Sequence, residues 1–475
     1  MKFRTRVKEK LPLYKEDDAL HTASPRKKGA TRPKWKFYWR HLFMLLCMWI
    51  MLINYYERTV VKRVIKRCEW SKWEKWPSDV NSHRVGLFAD PQIMDAHSYP
   101  NRPWIINYFT RVILDTYHKK NWKYVQYLLE PDTNFFLGDL FDGGREWADE
   151  EWLGEYVRFN EIFPKVPSSR TIMSIPGNHD IGFGNTIREE SLDRFSTYFG
   201  EPSSFYDIGN HTFVLLDTIS LSDEANPDVS AVPKSFLNDF ATGDHPLPKI
   251  LLSHVPLYRN PEQQKCGNLR ESKKNFPLQQ GEQYQTVIDL ELSQEVLSMV
   301  TPVILFSGDD HDYCHITHSY HSDGITKSAE EITVKSCAMN MGIERPAIQL
   351  LSLHNPLEDS SRSSTTSFET DICYLPDPYK PLTMYALMLL FTIGWLVYMC
   401  IFPKSFNKLV ANKMGRGHSK SVSALPLPVS SKSSVQSASS VYTVQETPKS
   451  GNVLLNAAIL SIMVLCVFSY YYASI

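Results

Sequence analysis

Five short apolar runs in the middle of the chain each end in a group of polar residues. Short apolar runs bounded by turn residues predict buried strands, and ligands gather where the carboxyl ends of such strands meet. The runs are Val85–Ala89, Asn134–Leu137, Thr171–Met173, Lys249–Leu252 and Pro302–Phe306. Helical stretches are expected between them, notably Ile105–Leu129 and Glu146–Phe163. This alternation predicts an α/β fold with a functional site at one edge of the strands.

The polar groups that end these runs are of the types that bind divalent metal ions. Carboxylate and amide oxygens suit hard cations, and imidazole nitrogen suits transition metals. The candidate ligands, in chain order, are Asp90, Gln92, Asp139, Asn178, His254, Asp309 and His311. A single Asp at a strand end, such as Asp139, often only forms a turn. Because five motifs occur together, the sequence predicts a site for two divalent metals.

The motif order Asp-x-Gln, Gly-Asp-x-x-Asp, Gly-Asn-His-Asp, His and Gly-Asp-x-His resembles the calcineurin-like metallophosphoesterase superfamily, over roughly residues 83–345. The resemblance implies a four-layer α/β/β/α sandwich with the metals at the carboxyl ends of the strands. It assigns the two metals to these ligand sets: Asp90, Gln92, Asp139 and His311 for one, and Asp139 as a bridge, Asn178, His254 and Asp309 for the other.

Two ligand positions depart from the pattern of this superfamily. Most relatives have His where Gln92 and Asp309 stand. Both replacements are oxygen ligands, which favour a harder ion such as Mn²⁺ over Zn²⁺. We therefore expect two divalent ions, with Mn²⁺ as the preferred metal.

Three residues near the ligands are candidates for catalysis. His179 is expected to protonate the leaving alkoxide, which needs a proton near neutral pH, and metal binding is its main alternative role. Asp142 is expected to accept the other ring proton and so fix the tautomer of His179. Arg145 follows the Gly143-Gly144 pair and either binds a phosphate oxygen or is a solvated loop charge, and the sequence leaves both open.

Other prominent aromatic and histidine residues are interpreted as structural. We expect the histidines that follow His311 to lie on an outgoing strand with alternating exposure. These are His315, His318 and His321, and we interpret His97 and His118, which lie earlier in the chain, as structural too. Trp70, Trp73 and Trp76 have helical spacing and are expected near a membrane surface, where indole is favoured.

Three uncharged apolar stretches lie outside the motif region. Residues 41–56 are slightly short for a transmembrane helix, but their aromatic flanks favour the membrane over a buried core helix. A cleaved signal peptide is disfavoured because no small-residue cleavage site follows. Residues 382–402 and 453–472 are two stronger candidate spans.

The spans divide the rest of the chain into three parts. Residues 1–40 form a basic, polar tail, and residues 403–451 form a Ser/Lys/Pro-rich linker, both predicted to be disordered. Residues 80–375 form the catalytic domain. Basic residues are equally numerous on the two sides of the first span. Before the second span only Arg362 and Lys380 are close, whereas five basic residues follow it: Lys404, Lys408, Lys413, Arg416 and Lys420. Basic residues are enriched on the cytosolic side of a span, so the segment after the second span is predicted to be cytosolic. The tail and linker are therefore predicted to be cytosolic and the catalytic domain lumenal.

Cysteine positions agree with a lumenal domain. Five cysteines fall in the predicted lumenal part: Cys68, Cys266, Cys314, Cys337 and Cys373. An odd number allows at most two disulfides and leaves one thiol free, and Cys314–Cys337 is the favoured pair. Asn210 begins the one glycosylation sequon in this part and is a candidate site if its turn is exposed.

Charge and motifs together narrow the function. The formal net charge is −1, which argues against a nucleic-acid partner. Within the superfamily, the motifs and spans resemble the membrane-anchored ethanolamine-phosphate phosphodiesterases that remodel glycosylphosphatidylinositol (GPI) anchors. The resemblance implies a multi-pass protein of the endoplasmic reticulum or early Golgi membrane. It would remove ethanolamine phosphate from a mannose of the GPI lipid or of GPI-anchored proteins, supporting their maturation and transport to the Golgi.

Two other classes of function stay open at this point. One is a different metal-dependent phosphatase or nuclease, because the same ligands serve those reactions. The other is a non-catalytic, Mn²⁺-responsive membrane protein.

Overall fold

The computed structural model describes residues 38–77, 79–355, 367–402 and 452–474. In these ranges the strands are β1 (His83–Phe88), β2 (Thr133–Phe136), β3 (Arg170–Ile172), β4 (Ser204–Ile208), β5 (His211–Leu216), β6 (Lys249–Ser253), β7 (Ile304–Ser307), β8 (Cys314–Ser322), β9 (Ile325–Thr333), β10 (Ala347–Leu353) and β11 (Phe368–Tyr374). The helices are α1 (Trp39–Asn54), α2 (Val61–Ile65), α3 (Trp104–Leu128), α4 (Asp149–Ile162), α5 (Asn178–Ile181), α6 (Glu189–Phe199), α7 (Thr218–Leu221), α8 (Pro227–Thr242), α9 (Leu290–Val300), α10 (Tyr379–Ile401) and α11 (Val453–Ala473).

The chain divides into two compact units, and the strands all belong to the one formed by residues 40–395 and 457–475. The described part of the other unit is limited to Tyr38, Trp39, the last residues of α10 with Phe402, and the first residues of α11 with Asn452.

The strands form two mixed sheets, as expected of an α/β protein. The first sheet has the order β11-β10-β1-β2-β3, in which β1, β2 and β3 are parallel. The second has the order β4-β5-β6-β7-β9-β8, in which β5, β6, β7 and β9 are parallel. Parallel strands need crossover connections, and helices supply most of them. All five predicted runs are strands, and the two predicted helices are α3 and α4.

The alternation of side chains along each strand separates two hydrophobic cores. Leu87 of β1 lies in the core shared by both sheets, where Phe135 of β2 stacks on Phe213 of β5 at a centroid distance of 4.7 Å. The next residue, Phe88, points away from the second sheet and packs on Trp122 of α3 at 5.1 Å. Each fully buried aromatic contributes roughly 1.5–3 kcal/mol. The two-residue period therefore fixes which face of β1 meets the other sheet and which meets the helices.

Two of the described helices are long and apolar enough to cross a membrane, α10 and α11. Only 22% and 11% of their most apolar windows are buried, whereas the core helix of a soluble protein would be mostly buried. These helices coincide with the predicted spans at 382–402 and 453–472. Helix α1 has 16 residues, short for a span, and continues through a helical segment at Tyr55–Val60 into α2. Almost all of residues 1–40 and 403–451 lie outside the described residues.

Strand β8 confirms the interpretation of the later histidines as structural. Its side chains alternate between buried and exposed, so His315 and His321 face outward while His318 is buried. His318 Nε2 donates to Glu331 Oε2 at 2.6 Å, and Arg259 Nη2 lies 2.8 Å from Glu331 Oε1. Burial alone would raise the pKa of Glu331, but the Arg259 guanidinium and His318 hold it below its usual value. This buried ion pair ties β9 to the loop after β6.

The favoured disulfide pairing is wrong, although two disulfides and one free thiol among these five cysteines agree with the prediction. The described residues contain the disulfides Cys68–Cys373 and Cys266–Cys314, and Cys337 is a buried free thiol. Cys314 lies in a small cluster beside the loop that carries Cys266, whereas Cys337 belongs to the large core. Cys314 and Cys337 are close in sequence, but they lie in different hydrophobic clusters and do not pair.

The expected placement of the tryptophans at a membrane surface is also wrong for Trp70, which is 97% buried. Its Nε1 donates to the Leu129 carbonyl at 2.6 Å, so it packs on the end of α3. Trp76 Nε1 donates to Ser352 Oγ at 2.8 Å.

The candidate glycosylation residue Asn210 lies in an exposed turn with a φ of 57°, and its Nδ2 donates to the Asn355 carbonyl at 3.0 Å.

Candidate metal centre

The predicted ligands meet where the carboxyl ends of strands from both sheets converge. Asp90 follows β1 and Asp139 follows β2 in the first sheet. His254 follows β6 and Asp309 follows β7 in the second sheet. Asn178 begins α5, which follows β3 through a short loop. Neither sheet holds the complete site, so the packing of the two sheets assembles it.

His254 lies at the centre of this group, and its tautomer is fixed. Its Nδ1 donates to the Leu137 carbonyl at 2.7 Å, which leaves the Nε2 lone pair facing the other candidates. Nε2 lies 3.4 Å from Asp139 Oδ1, 3.4 Å from Asn178 Oδ1 and 3.7 Å from Asp309 Oδ1. Lone pairs of one nitrogen and three oxygens thus face one another at close range. A cation between them would satisfy all four.

Buried acceptor atoms without partners give independent support for a bound cation. Asp90 and Gln92 are both buried, and Asp90 Oδ2 and Gln92 Oε1 make no hydrogen bond within the described residues. Unpaired buried polar atoms are strongly unfavourable, so such atoms call for a partner. Asp90, Asp139 and His254 also offer ligand atoms that lie within 4.8 Å of one another. The donor set of this chain therefore fits a divalent metal.

The pKa shifts of the clustered carboxylates also indicate a binding site for a cation. Burial, together with the neighbouring Asp139 and Asp309 carboxylates, raises the pKa of Asp90 well above its usual range. Burial and Asp139 do the same to Asp309. Burial would also raise the pKa of Asp139, but the His254 and His179 rings hold it below its usual value. Several carboxylates this close can all ionise only beside positive charge.

The backbone is left-handed at most of the candidate ligands. Such φ angles are uncommon for residues other than glycine and cluster at functional sites. Five of the seven predicted ligands have them: Asp90 (φ 48°), Gln92 (φ 35°), Asp139 (φ 50°), Asp309 (φ 67°) and His311 (φ 63°). Strands β1, β2 and β7 are therefore each followed by a sharp turn that carries polar side chains at the site.

Two glycines permit the close approach of the strand ends. Gly138 has a φ of 90°, and a Cβ on it would lie 2.5 Å from His254 Nδ1. A Cβ on Gly177 would overlap the carboxylate and backbone of Asp139. Any larger residue at either position would displace a candidate ligand.

Gln92, Asp142 and His179 form a chain of hydrogen bonds beside the ligands. Gln92 Nε2 donates to Asp142 Oδ1 at 3.1 Å, which turns Gln92 Oε1 away from Asp142. His179 Nδ1 donates to the Asp142 main-chain carbonyl at 2.5 Å and lies 3.5 Å from Asp142 Oδ1. The hydrogen bond that orients the ring is therefore made to the main-chain carbonyl of Asp142, whereas the Asp142 carboxylate, which was the predicted acceptor, lies farther from the ring nitrogen. Among the described residues, none forms a hydrogen bond with Nε2 of His179.

Arg145 forms hydrogen bonds with the backbone of two residues of the site. Its Nη1 donates to the Asn178 carbonyl at 2.9 Å, and its backbone N–H donates to the His179 carbonyl at 2.9 Å. Asn178 Nδ2 donates to the Gln283 carbonyl at 3.1 Å, which directs Asn178 Oδ1 toward His254. Arg145 is thus an anchored side chain with a backbone partner, not a solvated loop charge.

Asp180 is an organising residue that the sequence analysis did not single out. Its carboxylate accepts from the N–H groups of Leu140 and Phe141, both at 3.1 Å, and of Gly177 at 2.9 Å. These bonds tie the loop after β2 to the loop after β3. Asp180 accepts from the N-cap N–H as the third helical residue of a capping box does, but Gly177 at the N-cap has no side chain to complete the motif, so no sequence pattern marked this role.

His311 completes the set of predicted residues at this edge. Burial lowers its pKa to about 4, against the opposing effect of the Asp139 carboxylate beside it. A neutral imidazole is the form that binds a metal. The structure thus brings the seven predicted ligands, with His179 and Asp142, to one edge of the two sheets.

Comparisons with known proteins agree with this geometry. Residues 83–313 match the family described as calcineurin-like phosphoesterase. The chain is 56% identical over 488 residues to cell division control protein 1 of Saccharomyces cerevisiae, covering 99% of each chain. It is 24% identical over 385 residues to metallophosphoesterase 1 of Danio rerio, covering 76% of this chain and 93% of that one.

A solved structure of a phosphopantetheinyl hydrolase from Mycobacterium tuberculosis aligns with 62% of this chain and 97% of its own, at 14% identity and a TM-score of 0.28. The family match and the extent of identity, together with the buried ligand cluster, lead to one conclusion. The chain belongs to the calcineurin-like phosphoesterase family, whose members are metal-dependent phosphoesterases that bind divalent ions.

Proposed function

We propose that this protein is a dinuclear-metal phosphodiesterase that removes ethanolamine phosphate from a mannose of the GPI-anchor glycan. The observation that carries the catalytic part of the proposal is the His179 ring. It lies beside the ligand cluster with Nδ1 held by the Asp142 carbonyl, and Nε2 makes no hydrogen bond within the part of the chain that the structure describes. A residue placed in this way can exchange a proton with a substrate without itself holding a metal.

We assign the ligands in two sets that share one carboxylate. Asp90, Gln92, Asp139 and His311 would hold one ion, and Asp139, Asn178, His254 and Asp309 would hold the other. Two divalent ions held by these residues would supply Lewis-acid stabilisation of the phosphate charge and would make a water acidic enough to act as the nucleophile. The prevalence of oxygen ligands favours Mn²⁺.

The residues of the chain then divide the remaining work. His179 Nε2, when protonated, gives its proton to the departing mannose oxygen, which is a poor leaving group as an alkoxide. Asp142 and Gln92 keep the ring and the neighbouring ligand oriented through the hydrogen bonds described above. Arg145 Nη1 holds the Asn178 carbonyl in place, and we propose that the positive charge of the guanidinium also attracts the phosphate.

The location proposed for this activity is the membrane of the endoplasmic reticulum or early Golgi. We propose a four-layer α/β/β/α catalytic domain at residues 80–375, flanked by spans at 41–56, 382–402 and 453–472. Helices α10 and α11 support two of these spans, and two disulfides between residues 68 and 373 fit an oxidising lumen. A substrate anchored in the same bilayer would reach the enzyme by diffusion within the plane of the membrane.

The decisive experiment measures the glycan itself. Full-length protein in detergent with Mn²⁺ is incubated with a GPI glycolipid that carries ethanolamine phosphate on a mannose, and the products are weighed by intact-mass analysis. We expect loss of one ethanolamine phosphate, and no loss with Asp139→Ala. A nitrophenyl phosphomonoester and a single-stranded DNA serve as rival substrates. If the protein hydrolysed either rival substrate and left the GPI glycan intact, the proposed substrate would be refuted.

A further inference from the structure

A cavity of about 710 Å³ opens directly beside the metal centre. His311 and Asp310 line its inner side, and Arg270 and Lys273 of the loop between β6 and α9 line another. Glu344, from the loop between β9 and β10, completes the rim. The volume falls in the range of sites that bind a small molecule. Because a predicted metal ligand forms part of its wall, a group bound there would adjoin the scissile phosphate.

The inner wall of the cavity is fixed by a covalent bond and an ion pair. The disulfide Cys266–Cys314 joins the β6–α9 loop to the start of β8. Arg270 forms a two-point ion pair with Asp310, with Nη2 lying 3.1 Å from Oδ1. Asp310 stands between two predicted ligands in the sequence. The loop is therefore held against the turn that carries the metal site.

A second buried ion pair fixes the same loop. Lys335 is fully buried, and its Nζ lies 2.8 Å from Glu271 Oε1 and 2.9 Å from Asp312 Oδ1. Asp312 Oδ2 accepts from the Ser272 N–H at 2.9 Å, and Glu271 accepts from the Glu344 N–H at 2.7 Å. Both walls of the cavity are thus joined through one lysine. Preformed walls of this kind reduce the ordering cost of binding.

The rim offers charges that the fold does not use. Lys273 and Glu344 are exposed, and neither side chain forms an ion pair within the part of the chain that the structure describes. The lining contains no Phe, Tyr or Trp, so a nucleobase or other flat ring would find no stacking partner. Met341 and Ile343 add an apolar surface that is smaller than the polar one. Charges of both signs beside this apolar surface suit a hydroxylated, zwitterionic ligand.

We propose that this cavity binds the glycan next to the scissile phosphodiester, with Lys273 and Glu344 as its contacts. This assignment rests on the proposed function and adds where the substrate specificity resides. The metal centre handles the phosphate, which every phosphodiester shares. The cavity recognises the sugar hydroxyls and the charged substituents that distinguish a GPI glycan from other diesters.

The test compares two substrates on full-length, Mn²⁺-loaded protein in detergent. One substrate is a GPI glycolipid with ethanolamine phosphate on a mannose, and the other is bis(p-nitrophenyl) phosphate, which has no glycan. The variants are Lys273→Ala and Glu344→Gln, with Lys274→Ala as the matched control, because Lys274 is also exposed on the loop but does not line this cavity. Metal content is measured for each.

The expected result is a change in specificity. For each cavity variant KM for the glycolipid should rise about tenfold, as for loss of a hydrogen bond to a charged group, and the ratio of kcat/KM between the two substrates should fall by the same factor. Lys274→Ala should behave as the parent protein. Equal losses on both substrates, or no loss on either, would overturn the assignment.

Failure of the proposed function gives a different result. If the parent protein cleaves the nitrophenyl diester and leaves the glycolipid intact, the GPI assignment is wrong, and the glycan subsite is rejected with it. If the parent protein cleaves the glycolipid and the cavity variants match the control, only the subsite is rejected.

Discussion

Replacement of His179 by alanine separates proton donation from metal binding. The backbone N–H of residue 179 donates to Asp139 Oδ1 at 2.9 Å, and alanine keeps this bond. The lost contacts are those of the ring, which donates to the Asp142 carbonyl at 2.5 Å. We therefore expect His179→Ala to keep its metals and to lose the proton donor alone.

The size of the effect should depend on the leaving group. General acid catalysis contributes about 10²–10⁴-fold, which corresponds to roughly 3–5 kcal/mol of transition-state stabilisation. A mannose alkoxide needs this proton and should show the full loss in kcat. A p-nitrophenolate is a stable anion near neutral pH, so its departure should slow much less. The ratio of the two losses measures the acid role of His179.

The assay uses a GPI glycolipid and a nitrophenyl phosphodiester with parent and variant proteins at matched metal content. His321→Ala is the control, since His321 is exposed on β8 away from the ligands. If both rates fell by one factor, His179 would be a phosphate-binding residue and not an acid. If metal content fell with the rate, it would be a ligand.

Three further predictions concern metal, stability and topology. Asp139→Ala should remove most bound metal while Gln92→Ala removes less, because a bridging carboxylate serves two ions and a neutral amide serves one; equal retention in metal analysis would contradict the bridge. Glu331→Gln should lower the free energy of unfolding by about 3–5 kcal/mol at neutral pH in denaturant titrations, since it leaves a buried guanidinium unpaired. Because the pKa of Glu331 is depressed, the stabilisation should be lost as pH falls through that depressed pKa, and a constant difference would contradict the ion pair. Protease added to sealed microsomes should spare residues 80–375 and cut within 404–451, and the reverse pattern would overturn the topology.

Local sequence signals account for most of the correctly predicted site. A buried strand and the polar residue that ends it are neighbours in the chain, so the apolar run Val85–Ala89 predicts that Asp90 lies at the end of a strand. The last four residues of β1 are all buried, and the two-residue period determines which of the two cores each side chain faces. The family resemblance supplied what local signals lack, namely that ends of strands from both sheets meet at one edge.

Long-range partners explain what the sequence analysis missed. Cys266 and Cys314 are 48 residues apart and meet only because a long loop returns to the start of β8. The pairing of Arg270 with Asp310 depends on the same return. Trp70 was expected at a membrane because indole suits that interface, yet α3 offers it a buried carbonyl. Each error came from reading a residue without the element that packs on it.

The strained turns and the buried charges of the metal centre belong to one physical arrangement. Left-handed backbone at a residue other than glycine costs on the order of 1–3 kcal/mol, and five ligand positions have it. Asp180 offsets part of this cost by accepting three backbone N–H groups that hold two of the loops together. The remaining unfavourable energy lies in the unpaired oxygens and crowded carboxylates, which a divalent cation would relieve directly. The fold therefore holds the ligands in a geometry that is poor for the protein alone and favourable once a metal is bound, and this difference in energy contributes to metal affinity.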